Sequence, residues 1–177
     1  MKIILKTILF SLLFMVVFIL FLPKEQLFIK AVNEAYKQKV YLQNYTFSED
    51  LISSNIKNTN IIYDGINIVN IKNTDIKVWL FYNDINIKNI SLDESLNSFV
   101  PSKIDNVNIN YSVLNPLFVN ANVKSKLFSV KINFDILNMK LNAVFKSSKF
   151  FRNKYSKLLK ELKYDKKIKD YTYEYKL

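Results

Sequence analysis

A chain of 177 residues with no cysteine and no histidine has no disulfide to staple it, and it lacks the side chains on which Ser-His-Asp and Cys-His catalysis depend. Any metal chemistry would have to be carried by carboxylates alone, and a single glycine leaves no loop able to cradle a phosphate. Its 26 Lys and Arg against 15 Asp and Glu give a net charge of +11, and with only three prolines there is little material for flexible linkers.

The first stretch, Ile3 to Leu22, is predominantly apolar, with Lys6 its one charge. About 20 such residues at ~1.5 Å rise span the ~30 Å hydrocarbon core of a bilayer. Lys2 and Lys6 mark the cytoplasmic side by the positive-inside rule, so the rest of the chain is expected outside. A cleaved secretory signal would need small residues after the apolar run, and Phe18-Ile19-Leu20-Phe21-Leu22-Pro23 offers none. Residues 1–23 therefore read as an uncleaved signal anchor, giving a single-pass membrane protein whose C-terminal domain is exported. Its helix is the expected contact with membrane lipid.

From residue 24 to 40, Phe28, Ala31, Val32, Ala35 and Tyr36 recur at three- and four-residue spacing, as in an amphipathic juxtamembrane helix that Pro23 can open. Residues 41–177 form the expected β-rich domain. The period changes there to two: Ile66 and Ile68; Ile76, Val78 and Leu80; Ile85 and Ile87; Val107, Ile109, Tyr111 and Val113 all alternate with polar residues. Phe128 to Ile136 and Met139 to Phe145 read as a hairpin. Asp64 and Gly65 form a two-residue turn signal in which glycine supplies positive φ. Asn83-Asp84 and Asn115-Pro116 read as further turns, and Asp93 to Lys103 as the longest loop. Turns about ten residues apart specify an antiparallel meander or curved sheet with no room for crossover helices.

The end of the chain changes again. Ser147 or Ser148 caps an expected amphipathic helix over 147–163, with Phe151, Tyr155, Leu158 and Leu162 as its apolar stripe, and Tyr171, Tyr173 and Tyr175 alternate in a final strand. Residues 140–177 carry 12 basic and 4 acidic groups, so the positive charge is concentrated there. Lys149, Arg152, Lys157, Lys160 and Lys163 are the candidate contacts to an acidic partner or an anionic surface. DNA is the less favoured partner, and its contact would be phosphate-driven and salt-dependent, since a lysine set without arginine forks reads no base sequence. No catalytic, cofactor or metal site is expected, and the chain reads as a non-enzyme.

The layout resembles the type II secretion system protein N group, which is similar to AsmA-like inner-membrane proteins. The resemblance rests on Tyr63-Asp64-Gly65-Ile66 among the Ile-x-Ile strands, on Tyr111-Ser112-Val113-Leu114-Asn115-Pro116-Leu117, and on Tyr171-Thr172-Tyr173-Glu174-Tyr175. It implies one inner-membrane helix, a β-rich periplasmic domain, and an assembly or docking role beside other membrane components of a secretion or natural-transformation apparatus. The alternative is an envelope protein that handles lipid or lipopolysaccharide in an apolar β-groove.

Overall fold

The computed structural model describes residues 2–97 and 100–176. The protein is mainly β, with an N-terminal helix, one antiparallel sheet, and short C-terminal helices before a final strand. Helix α1, Lys2–Leu20, is long and apolar enough to cross a membrane, and none of its residues is buried in the protein. Helix α2, Lys24–Lys37, starts after Pro23 and stops three residues short of the expected end. Lys39 adopts φ 61°, which ends the helical turn and lets the first strand begin at Val40.

The strands are β1 Val40–Gln43, β2 Thr46–Glu49, β3 Ser53–Tyr63, β4 Ile66–Val78, β5 Tyr82–Leu92, β6 Lys103–Ser112, β7 Phe118–Lys124, β8 Phe128–Asp135, β9 Lys140–Ser147, β10 Lys163–Asp165 and β11 Asp170–Lys176. From β3 to β9 each pairs with the next, then β9 pairs with β11 and β11 with β10. Both β1 and β2 pair with β3, forming one edge interrupted at Asn44-Tyr45. Asn44, Asn58 and Asn89 all have positive φ within one row of β1/β2, β3 and β5 of each other. Asparagine tolerates that left-handed conformation better than other non-glycine residues, so a ladder rich in it can bend there.

Asp64 (φ 49°) and Gly65 (φ 85°) make the tight turn from β3 to β4, the two positive φ values that a type I′ hairpin needs. Asn83 and Asp84 are not a turn. They lie inside β5, and the reversal falls at Trp79-Leu80-Phe81, where three consecutive bulky apolar residues gave no turn signal. Leu80, Val113 and Ile136 accordingly lie just beyond their strands. The expected loop Asp93 to Lys103 contains a 3₁₀ turn, Glu94–Leu96, capped by the Asp93 carboxylate on the Ser95 N–H (2.9 Å), and residues 98 and 99 lie outside the described residues.

The single C-terminal helix expected over 147–163 is instead two: α3, Lys149–Lys154, and α4, Ser156–Lys160, broken at Tyr155 (φ −112°, ψ 38°). Ser148 caps α3, accepting from the Phe151 N–H at 3.2 Å. The break shifts the stripe. Phe151, Tyr155 and Leu159 are the buried residues, with Leu158 and Leu162 only partly buried beside them, so the expected 4-3-4 spacing gives way to 4-4. Lys163 lies in β10, not in a helix.

Candidate functional site

Residues directly paired across an antiparallel ladder point to the same side of a sheet, so the register divides this one into two faces. On one face run Phe47, Ile56, Thr74, Ile87, Val107, Val123, Val130, Phe145 and Tyr171, one residue from each strand from β2 to β9 and then from β11. The next row on that face is Ser54, Ile76, Ile85, Ile109, Ala121, Ile132, Ala143 and Tyr173. The other face carries the intervening residues, among them Asn55, Asp75, Asn86, Asn108, Asn122, Lys131 and Asn142.

Helices pack on the apolar face at its two ends. At the N-terminal edge, Phe28 of α2 stacks on Phe47 (ring centroids 5.0 Å apart), and Ile56 beneath is buried. At the other edge, Phe151 of α3 lies 5.2 Å from the rings of both Phe128 and Phe145, and Tyr155 and Leu159 complete a core that also takes in Val130 and Tyr171. Between these walls Thr74, Ile76, Ile85, Ile87, Val107, Ile109 and Ala121 are only half-buried. With neighbouring strands about 4.8 Å apart, β4 to β8 make an apolar floor roughly 20 Å wide between two helical walls. The structure thus forms a trough whose floor can take up apolar surface, whether acyl chain or protein.

The opposite face is a hydrogen-bonded lattice. Asn106 Nδ2 donates to Asn86 (2.7 Å), Asn108 Nδ2 to Asp84 (2.6 Å), Asn110 Nδ2 to Asn108 (3.2 Å) and Asn133 Nδ2 to Asn120 (3.0 Å). Asn73 Nδ2 and Lys88 Nζ both donate to Asp75, at 2.9 and 3.1 Å. Burial pushes the Asp75 carboxyl up, but the hydrogen bonds from Lys88, Asn73 and Asn55, with the charge of Lys88, outweigh it and hold the group below the ordinary carboxylate value. Side chains occupied with one another in this way rigidify the sheet, and this face reads as structural.

The basic residues singled out by sequence are all exposed but are not brought onto one helix face. Lys149 and Arg152 lie on α3, Lys157 and Lys160 on α4 beyond the break, and Lys163 on an edge strand. Arg152 Nη2 donates to the Ser147 carbonyl at 3.2 Å, tying α3 to the end of β9. The trough is what sequence reading did not assemble: alternation marked each strand's apolar side, but the shared face appears only once the register is known. Among the described residues no three acidic side chains converge in a way that could hold a metal ion. No family model, curated protein or solved structure matches this chain.

Proposed function

We propose that the protein is a non-enzymatic, membrane-anchored docking component of an envelope machine of the secretion or DNA-uptake type, with its C-terminal domain on the periplasmic side of an inner membrane. The observation that supports this reading is the trough: apolar residues from β4 to β8 share one face, and the two helical walls leave that floor uncovered. A floor that is aliphatic apart from Thr74 offers shape and burial and little polar chemistry, which suits association. The resemblance to the protein N group of type II secretion points the same way.

A second reading, lipid or lipopolysaccharide handling, is favoured by the same floor, since parallel rows of Ile and Val match acyl chains as well as they match a partner's side chains. A photo-reactive residue at Ile109, activated in intact cells, separates the two. One recurrent adduct with a membrane component of a transport apparatus, together with loss of transport or DNA uptake and normal growth on gene deletion, is the expected result. Adducts with phospholipid or lipopolysaccharide would transfer the protein to the second reading. Absence of any adduct at Ile109 would remove the trough from both.

A further inference from the structure

In an antiparallel meander alternate turns lie at the same end of the sheet. One end here gathers the turns β2–β3, β4–β5, β6–β7 and β8–β9. Their tips are mostly apolar, with Asp50 the one charged turn residue: Leu51 is 69 % exposed, Leu114 86 % and Leu137 72 %, and Trp79 and Phe81 are also exposed. The turns at the opposite end carry charge instead, with Asp64, Asp93-Glu94, Lys126 and Lys166-Lys167. An isolated exposed leucine needs no explanation, but four successive tips along one edge form a continuous apolar rim.

Two clefts show what lies beside that rim. Leu80 and Phe81 share a cleft with Thr7, Ile8, Ser11, Leu12 and Met15 of α1, and the segment from Leu20 to Lys24 shares another with Glu49, Asp50 and Leu51. Residues against the middle of a membrane-spanning helix lie at membrane depth with it. We infer that the rim is a second membrane contact, with the sheet resting on the bilayer that α1 crosses and its hairpin tips reaching below the headgroups into the acyl region. The inference rests on reading α1 as a span.

The backbone at the rim suits such a place, because neighbouring turns satisfy one another and leave fewer donors to desolvate. The Val78 N–H donates to the Ile52 carbonyl (3.0 Å), Val113 N–H to Phe81 (3.1 Å) and Ile136 N–H to Leu117 (2.8 Å). The Asn138 N–H and side-chain amide both donate to the Asp135 carboxylate, at 2.9 and 2.8 Å. Trp79 and Tyr82, amphipathic rings with one polar atom each, are the residue types that settle at a lipid–water boundary.

Trp79 is the only tryptophan in the chain, so its fluorescence reports the rim directly. In full-length protein reconstituted into phosphatidylcholine–phosphatidylglycerol vesicles, lipid brominated on the upper acyl chain is expected to quench most of the Trp79 emission, while aqueous acrylamide has little effect. The reverse pattern would overturn the proposal. Moving the probe separates the causes: with Trp79→Phe, a Phe14→Trp substitution tests the span, Leu114→Trp a second rim tip, and Lys126→Trp the far end. Quenching by brominated lipid of Phe14→Trp and Leu114→Trp but not of Lys126→Trp supports the rim. Quenching of Phe14→Trp alone refutes the rim and leaves the span standing, whereas no quenching of Phe14→Trp refutes the span and the rim with it.

Discussion

Phe145 on β9 and Ile109 on β6 belong to the same apolar face, three strands apart, yet one is buried and the other only half-buried. The difference is a helix. Phe145 lies under Phe151, whose ring has no solvent exposure at all, while the helices that cover the sheet do so at its ends and leave Ile109 on the floor between them. The comparison teaches that an alternating pattern specifies which side of a strand is apolar and says nothing of what will cover it. At the C-terminal end the chain supplies its own cover; in the centre the surface is left for something else.

The sharpest way to break that comparison is at Phe151. Truncation to alanine opens a cavity between the rings of Phe128, Phe145 and Tyr155, and removing a fully buried phenylalanine costs about 3–5 kcal/mol, read as a lower midpoint in denaturant. A loss below about 1 kcal/mol would show that α3 and α4 contribute no core.

The matching change on the floor, Ile109→Asp, is expected to cost less, about 1–2 kcal/mol, because the side chain keeps part of its solvent exposure, so the charge is only partly desolvated. Its effect should fall on association: the adduct formed by a photo-reactive residue at neighbouring Ile85 should disappear in the Ile109→Asp protein, although the fold remains. A stability loss equal to that of Phe151→Ala would mean that the floor is packed in the folded chain and that the two regions do not differ.

The sheet was legible in the sequence because period-two alternation is a strong local signal: Ile85 and Ile87, Val107 and Ile109, and Phe128 to Phe134 all fall in strands. Two local features misled. Asn83-Asp84 carries turn-forming residues but is held in β5 by its pairs with Val78 and Lys77 and with Tyr111 and Asn110, a case of tertiary pairing overriding local preference. The break at Tyr155 has no glycine or proline to announce it, so the run from Phe151 to Leu162 keeps a helical period in sequence while the chain turns α4 to place Leu159 inward. An apolar groove was expected only in outline, and neither its residues nor the rim could be assigned, because both are made by residues far apart in sequence that only the register aligns.

The smallest expected effect belongs to the polar face, which should behave unlike the trough. Asp75 accepts hydrogen bonds from Asn55, Asn73 and Lys88, and its folded-state carboxyl titrates below the ordinary value of 3.8. A carboxyl depressed by folding stabilises the protein above its unfolded-state value, and that contribution fades as pH falls through the folded-state value. Because the group is partly solvated, Asp75→Asn should lose only about 0.5 kcal/mol at neutral pH, and the difference between variant and parent should shrink toward zero as pH falls below the ordinary carboxylate value and through the folded-state one. Denaturation midpoints of both proteins across that interval measure it. A difference that stays constant down to low pH would mean that the Asp75 charge takes no part in holding the lattice, and the asparagine face would then owe its order to neutral hydrogen bonds alone.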